Sequence, residues 1–445
     1  MVETFPVNTK EIVELCKQHT IFSWSAQGGV APLAIERAAG IYFWDTDGNR
    51  YIDFNSQLMC NNIGHNHPKV VAAVKAQADK LMFVYPGFAT EPRARLGKLL
   101  AEITPPNINK FFFTNGGAEA NEGAIKVARL FTGRQKILSR YRSYHGATHG
   151  AMQLTGDPRR WATEPGAPGF IRVMDPIPYR YSFGATDEEK TKNNLEYLAE
   201  VIDCEGGHNI AAMFIEPVIG TNGILPPPEG YLQGLRALLD QHGILLVCDE
   251  VMAGFGRTGK MFAHEHGGIR PDMISMAKGL TSASLPLGAL GLSDAIAAHF
   301  DTNVFWTGLT YSAHPMGIAA AVAAIEVLRE EKLVENAARL QDVMRGHMAE
   351  LKAKHKSIGS FRATGLFGAL EFQRNAAGDR LGGYNQVHPA ILKLVKELLA
   401  KGLFTSNHWN TLFCNPPLSI TEAELAESFA IIDACLHVTD AAFEG

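Results

Sequence analysis

The chain has little of what marks secreted, nucleic-acid-binding or membrane-spanning proteins. Its six cysteines are scattered without a CxxC pair, so we expect reduced thiols, no disulfide framework and no metal site. Basic residues (41) do not exceed acidic ones (46), and no basic stripe carries interleaved aromatic residues, so no nucleic-acid partner is expected. No apolar run approaches the roughly 18 residues of a membrane-spanning helix. Residues 1–19 contain acidic residues and no long apolar stretch, so the expected location is the cytoplasm, away from membranes.

What the sequence does contain is a long alternation of short apolar segments and helical stretches. Its 445 residues exceed the size at which one hydrophobic core stops growing, so we predict two domains. Residues 61–325 are predicted to form a large α/β domain with a mostly parallel central sheet. Its predicted strands are residues 111–115, 136–141, 210–217, 244–250, 273–277 and 287–293. Residues 1–60, with a hairpin turn at 47–49, and residues 326–445 are predicted to form a smaller α+β domain from both chain ends.

A phosphate site is suggested by residues 114–131, where a strand is followed by paired glycines and at once by a helical pattern. Glycines let the backbone approach an anion, and the unpaired N–H groups and positive dipole end of the helix stabilise it. Taken alone, the pattern is as typical of a tight turn with a purely structural role.

An acidic strand end is the second candidate site. Asp249 lies at the carboxyl end of an apolar strand, where open α/β sheets place ligand groups. A carboxylate there could pair with a ring-nitrogen cation and raise the pKa of that nitrogen, as an electron-sink cofactor needs. The structural alternative is an aspartate that caps a neighbouring helix or loop.

The same segment spells the GxxxxGK pattern of nucleotide-binding loops at residues 254–260. Met261 stands where serine or threonine must reach a magnesium ion, and the glycines follow an acidic strand end instead of opening a helix. A nucleotide-hydrolase function is therefore disfavoured.

A lone lysine is the third candidate. In residues 271–289 an apolar strand delivers Lys278 into a loop of small residues. Partial burial lowers the pKa of an amine, and the neutral form can condense with an aldehyde to a Schiff base. A surface lysine at a strand end is the structural alternative. Chance nevertheless explains the three clusters poorly, because they follow successive strands and supply a phosphate cradle, a ring-nitrogen partner and an imine-forming lysine.

These clusters, together with other motifs, resemble the class III aminotransferases, the omega-amino-acid and amine transaminases of the fold-type I PLP architecture. The resemblance covers nearly the whole chain. Its motifs are NGGAEAN (115–121), YHG (144–146), EPV (216–218), DEVMAGFGRTG (249–259), the lysine loop and TGLTYSAHP (307–315). It implies pyridoxal 5′-phosphate (PLP) as cofactor, held by Lys278 as a Schiff base, with Asp249 on its ring nitrogen.

The resemblance also implies the other cofactor contacts. The backbone at Gly117 and Ala118 would bind the phosphate. Tyr144 would stack on one face of the ring and Val251 on the other. Each of these side chains could instead be core packing.

The resemblance also implies roles for two residues that do not touch the faces of the cofactor ring. Glu216 resembles an acidic residue set close to Asp249. Thr310 resembles a threonine that crosses a subunit interface to bind the phosphate of the neighbouring subunit. The resemblance therefore implies a homodimer, or a dimer of dimers, with shared active sites.

The substrate-binding residues depart from those of many relatives. Many class III enzymes carry a mobile arginine ten residues before a Pro-Pro pair, and here that position is Ser406. The acid that glutamate-type members place five residues after the EPV glutamate is Thr221. The mobile arginine and the acid that would pair with it are both absent. His408 or another cationic residue, such as Arg142 or Arg160, is therefore the expected anion partner.

Four sequence segments resemble those of taurine or omega-amino-acid transaminases. They are residues 22–27, 54–59, 155–161 and 407–413. By family position the substrate pocket would be lined by Trp24, Met59, Tyr85 and Phe88, although core packing is an equal alternative for such aromatics.

The predicted activity is transfer of an amino group from an omega-amino acid or primary amine, such as taurine or β-alanine, to pyruvate or 2-oxoglutarate by a ping-pong mechanism. A decarboxylase or aminomutase of the same fold would share every cofactor residue. Two alternatives from other functional classes fit the sequence less well. A PLP-binding protein without catalysis would leave Lys278 unexplained, and a nucleotide-binding protein is inconsistent with Met261.

Overall fold

The structure, a computed structural model, describes residues 8–445. Its strands are β1 (Ile35–Ala39), β2 (Tyr42–Asp45), β3 (Arg50–Asp53), β4 (Ile108–Thr114), β5 (Lys136–Arg140), β6 (Phe170–Val173), β7 (Ile210–Ile215), β8 (Leu245–Asp249), β9 (Met273–Met276), β10 (Gly288–Ser293), β11 (Ile358–Thr364), β12 (Phe367–Phe372), β13 (Leu403–Phe404), β14 (Asn407–His408) and β15 (Thr411–Cys414). Its helices are α1 (Thr9–His19), α2 (Ser56–Met59), α3 (Pro68–Lys80), α4 (Glu91–Ile103), α5 (Gly117–Thr132), α6 (His149–Leu154), α7 (Asp187–Glu205), α8 (Tyr231–His242), α9 (Asp294–His299), α10 (Pro315–Glu330), α11 (Leu333–Lys354), α12 (Pro389–Ala400), α13 (Glu422–Cys435) and α14 (His437–Asp440). None of these helices is long and apolar enough to cross a membrane.

The central sheet has seven strands in the order β4-β10-β9-β8-β7-β5-β6. Only β10 is antiparallel to its neighbours, β4 and β9, so the predicted mostly parallel sheet is confirmed. All six predicted strands are present, with ends shifted by a few residues. The seventh, β6, was missed because a strand of four residues at a sheet edge, three of them partly exposed, has no clear hydrophobic period.

The interior strands of this sheet explain where the candidate site lies. Strands β7, β8 and β9 are buried along their whole length apart from one residue at the start of β8, as parallel strands covered on both faces must be. In the parallel pair β8–β9, Asp249 lies opposite Ser275. Lys278 follows β9 within three residues, so the predicted acid and lysine lie at the same edge of the sheet.

Helix α5 packs against the central sheet through small side chains. Ala120, Ala124 and Ala128 are fully buried against apolar residues of the sheet. Small residues let the helix axis come close to the strands, so the first turn of α5 is held at the edge where Asp249 and Lys278 lie.

Strands from both chain ends share one sheet. The order is β1-β2-β3-β13, with β13 parallel to β3. The predicted hairpin at residues 47–49 is present, since β2 and β3 are antiparallel on either side of it. A third sheet has the order β11-β12-β15-β14. The division of the chain at residues 60 and 325 stays a prediction.

Candidate active site

A cavity of about 500 Å³ lies at the carboxyl ends of the central strands. It is walled by segments that follow β4, β5, β7, β8 and β9. The residues that line it include Cys60, 115–118, 144–147, Glu216, Thr221, Asp249, Val251, Met252, Ala277, Lys278, Thr281, Ala283 and 285–287. All three sequence clusters therefore meet in one cavity.

Lys278 begins a short 3-10 turn directly after β9 and is half-buried at the cavity wall. Burial lowers the pKa of its amine, and it outweighs the opposing influence of Cys60, Asp249 and Glu216. The φ angle of Lys278 is 45°, a left-handed conformation that residues other than glycine adopt at a cost. The lysine is thus held in a strained turn with its amine shifted toward the neutral form.

Asp249 is the last residue of β8, and its carboxylate is buried. Oδ2 lies 2.7 Å from His145 Nδ1 and accepts a hydrogen bond of 2.8 Å from the Asn121 side chain. Oδ1 accepts the backbone N–H of Val251 at 3.0 Å. These contacts fix the orientation of a carboxylate that also faces the cavity.

Glu216 is the second buried acid at the cavity. Burial raises the pKa of this carboxyl, and the nearby Asp249 acts in the same direction. Its Oε1 accepts the backbone N–H of Tyr144 at 2.9 Å, and Oε2 accepts that of Gly220 at 2.7 Å. Glu216 therefore connects the Tyr144 segment to the loop after β7.

The first turn of α5 faces the same cavity. Gly116 is the N-cap and Gly117 the first helical residue, so their neighbouring N–H groups have no partner within the helix. A Cβ at Gly117 would lie 2.7 Å from Val251 Cγ2. The cavity wall at this point has room only for glycine, with the N–H groups and positive dipole end of the helix directed at any anion bound there.

Comparison with known proteins decides the class of enzyme. The aminotransferase class-III family model matches residues 24–436. The chain belongs to the class III aminotransferases. The resemblance seen in its motifs is confirmed, as is the fold class.

Several aminotransferases and transaminases are similar to this chain along most of its length. Taurine:2-oxoglutarate aminotransferase from Bifidobacterium kashiwanohense, solved with PLP and glutamate, is 41% identical with a TM-score of 0.95, covering 98% of this chain and 99% of that one. An (S)-enantioselective omega-transaminase from Thermomicrobium roseum is 35% identical with a TM-score of 0.93, covering 97% and 99%. Acetylornithine aminotransferase from Methanothermobacter thermautotrophicus is 35% identical over 84% of this chain and 88% of its own.

Class III aminotransferases are PLP-dependent, and the cavity of this aminotransferase fits that cofactor. A phosphate finds free N–H groups at the start of α5. A pyridine nitrogen finds the buried, oriented carboxylate of Asp249. An aldehyde finds the amine of Lys278, whose pKa burial lowers. The donor set therefore matches the phosphate, the ring nitrogen and the aldehyde of PLP.

Gly117→Ala is expected to weaken PLP binding by about tenfold or more. The added Cβ would stand 2.7 and 2.9 Å from the two methyl carbons of Val251, and overpacking of this kind costs about 1–3 kcal/mol. The dissociation constant of PLP, measured by titrating the cofactor-free aminotransferase, checks this.

The matched control is Gly116→Ala. Its φ of −178° suits any residue, and a Cβ there would meet no atom within 4 Å among the described residues. Equal PLP affinities for the two variants would show that space at Gly117 does not limit cofactor binding.

Several residues assigned by resemblance do not line the cavity in one described chain. Trp24, Tyr85, Phe88 and Thr310 are exposed, and Met59 is buried in an apolar cluster beside the cavity. Their roles at a substrate pocket or subunit interface stay predictions.

The three candidate anion partners lie in different environments. Arg142 donates to the backbone oxygens of Ile177 and Asn222, at 3.2 and 2.7 Å, and Arg160 is paired with Glu164. His408 is half-buried. Both arginines are thus already engaged by their own surroundings.

Sequence reasoning missed three contributors to the site. Asn121 contacts Asp249 and lies one helical turn from Gly117 on the same face of α5. The spacing of Gly117 and Asn121 in NGGAEAN could have indicated this contact. Cys60 lines the cavity, and Arg159 lies over the ring of Tyr144. Neither position has a distinguishing local signal, because contacts between distant segments bring both there.

Proposed function

We propose that this aminotransferase moves the amino group of an omega-amino acid or primary amine to pyruvate or 2-oxoglutarate by a ping-pong mechanism. The observation that supports it best is a single cavity shared by Lys278, the buried carboxylate of Asp249 and the first turn of α5. A lysine amine of lowered pKa beside an oriented carboxylate is suited to imine exchange and proton transfer.

Two residues carry the chemistry in this proposal. When bound, PLP supplies an electron sink for the bond broken at the donor carbon. Lys278 would hold the cofactor, and its Nζ would take the proton from the donor carbon and later deliver one to the acceptor carbon. Asp249, held by Asn121 and His145, keeps the cofactor's ring nitrogen protonated.

The other residues in this proposal hold the cofactor in position. The backbone at Gly117 and Ala118 would hold the phosphate, and Tyr144 and Val251 would pack on opposite ring faces. All four line the cavity. Glu216 supports this arrangement through its bond to the Tyr144 backbone.

A homodimer belongs to the same proposal. Thr310 is exposed and absent from the cavity of its own described chain, as expected of a residue that reaches the phosphate of a neighbouring subunit. The exposed aromatic residues Tyr85 and Phe88 would be covered by the same contact.

The test is an absorbance titration of the PLP-loaded protein with taurine, β-alanine or an alkylamine in the absence of any oxo acid. Each true donor is expected to bleach the band of the lysine-bound cofactor, because the first half-reaction leaves the amino group on the cofactor. Adding pyruvate or 2-oxoglutarate afterwards should restore the band and identify the acceptor.

Other outcomes separate the alternatives. No band after excess PLP would contradict the cofactor assignments, whereas a band that no donor bleaches would discard the proposed donors alone. Release of carbon dioxide would indicate a decarboxylase, and turnover without a second oxo acid would indicate an aminomutase.

A further inference from the structure

Residues 254–260, the segment that spells the GxxxxGK pattern, do not line the cofactor cavity. Two glycines of this segment, Gly256 and Gly259, have left-handed φ angles of 88° and 79°. A Cβ at Gly256 would lie 2.9 Å from the Leu418 side chain, and one at Gly259 would lie 3.0 Å from Ala338 Cα. The glycines thus make room for the C-terminal part of the chain, and the segment joins distant parts of the protein.

Arg257 lies at the centre of this contact. Its fully buried guanidinium donates hydrogen bonds of 2.5–3.2 Å to four oxygens from three other segments, namely Ser56 Oγ, Asn62 Oδ1, Leu366 O and Pro416 O. All four acceptors are neutral, and burial lowers the pKa of Arg257 to about 10. A buried cation is costly unless its donors are satisfied, so Arg257 fixes these segments relative to one another.

The side chain of Asn62 is held at both polar atoms of its amide. Oδ1 accepts from Arg257 Nη2 at 3.1 Å, and Nδ2 donates to the backbone oxygen of Phe255 at 2.8 Å. Because Asn62 is only 2% exposed, these two bonds determine its orientation. The position of Asn62 therefore follows that of residues 254–260.

Asn62 packs against Gly279, the residue that follows Lys278. A Cβ at Gly279 would lie 2.6 Å from Asn62 Nδ2 and 2.8 Å from Phe255 Cβ. Glycine alone allows so close an approach. The Asn62 amide is thus in direct contact with the turn that carries the reacting lysine.

The turn that begins at Lys278 is strained. Lys278, Ser282 and Ala283 have left-handed φ angles of 45°, 50° and 61°, which cost free energy in residues with a Cβ. Ser282 Oγ accepts the backbone N–H of Ile63 at 3.0 Å. Asn62 and Ile63 therefore contact the turn at both ends, and strain of this kind persists only where the surroundings hold it.

We propose that Asn62, fixed by Arg257, is a positioning residue for amino transfer, because it keeps the strained turn that presents the Lys278 amine to the cavity. The inference rests on the role of Lys278 in the proposed function and extends it. It also gives the GxxxxGK segment a role, since Arg257 belongs to that segment. The C-terminal part of the chain is coupled to the lysine in the same way, because Leu366 and Pro416 bind the same guanidinium.

The first test separates rate from binding. Asn62→Ala should lower kcat by about 10- to 100-fold, since a misplacement of about 1 Å can cost about 100-fold. The KM of the donor should change by less than about threefold, because Asn62 acts on the reacting group and not on the donor. Single-turnover measurement of the first half-reaction locates the loss in the step that Lys278 performs. Asn62→Ser keeps an oxygen for Arg257, should lose less, and serves for the comparison if Asn62→Ala does not fold.

The second test measures the environment of the lysine without turnover. PLP is added to the cofactor-free enzyme over a range of pH, and the rate at which the band of the lysine-bound cofactor forms is recorded. The neutral amine is the reacting form, and burial lowers the pKa of Lys278. A loosened turn admits water, so the pKa rises and the rate profile of Asn62→Ala should move to higher pH. Four side chains that influence this amine are unchanged in the variant: Cys60, Asp249, Glu216 and Arg159.

A matched pair of arginine variants separates positioning from general stability. Arg134 also donates to four backbone oxygens, between residues 207 and 243, at 3.0–3.3 Å, but at the amino ends of β5, β7 and β8. Arg257→Lys should lower kcat and move the pH profile, because an ammonium lacks the fork that reaches all four oxygens. Arg134→Lys should lower the thermal midpoint and leave kcat and the profile unchanged.

Gly279→Ala tests the contact with Asn62 directly. The added Cβ would displace the turn from the Asn62 amide, so this variant should reproduce the changes in kcat and in the pH profile. The double variant Asn62→Ala/Gly279→Ala should lose less than the product of the two single losses, because both changes act on one turn.

Three results would overturn the proposal. They are an Asn62→Ala enzyme with the kcat and pH profile of the parent, equal changes in Arg134→Lys and Arg257→Lys, and fully multiplicative losses in the double variant. Absence of the cofactor band from the parent enzyme after excess PLP would instead contradict the proposed function, since that result concerns Lys278 itself.

Discussion

Lys278→Ala is expected to abolish transamination, lowering the rate of the first half-reaction by about 10⁴-fold, the upper end of the range for a positioned proton-transfer group. The loss should be this large because one amine serves twice, as the anchor of the cofactor and as the group that moves the proton. Burial lowers the pKa of this amine and so favours its neutral, proton-accepting form. Single-turnover measurements with a bleaching donor check the rate of that step.

Added methylamine should restore part of the activity of Lys278→Ala, because a small amine can occupy the space and transfer the proton. The matched control is Lys260→Ala, which removes the exposed lysine of the GxxxxGK segment and should leave turnover unchanged. Appreciable transamination by Lys278→Ala without added amine would contradict the role proposed for Lys278. A loss of activity in Lys260→Ala would reopen the role of that segment.

Asp249→Asn is expected to lower kcat by about 10²- to 10³-fold, the effect of removing one preorganised electrostatic partner. The amide keeps the size of the side chain and can still accept from Val251 N–H, which lies 3.0 Å from Oδ1. It cannot pair as an anion with a ring-nitrogen cation, so the pKa of that nitrogen falls and the electron sink weakens. The measurement is kcat together with PLP affinity, which should fall much less.

The neighbouring carboxylate is the control for Asp249. Glu250 is fully buried, and its oxygens accept from the backbone of Ala263 and His264 and from the His264 ring at 2.8–2.9 Å. Glu250→Gln should therefore lower the thermal midpoint while the folded enzyme keeps its kcat. Asp249→Glu should recover part of the loss. Equal effects of Asp249→Asn and Glu250→Gln on kcat would leave Asp249 with only a structural role.

Hydrophobic pattern and local chemistry predicted much of the architecture. Residues 210–217, 244–250 and 273–277 are apolar runs that contain or directly precede a chemistry-bearing residue, and each contains a strand of the central sheet. Parallel strands end at a common edge, so the convergence of Asp249 and Lys278 followed from their order alone. The edge strand β6 escaped prediction because a short, half-exposed segment has no period to detect.

The sequence by itself determined the class of enzyme and predicted that Asp249 and Lys278 lie at neighbouring strand ends, because these residues belong to contiguous motifs where local pattern specifies position. Only the tertiary structure decided that Asn121 and His145 orient Asp249, and that Arg159 lies over Tyr144. Those contacts join segments far apart in the chain. Whether a polar group is free or already satisfied depends on neighbours that no local pattern contains.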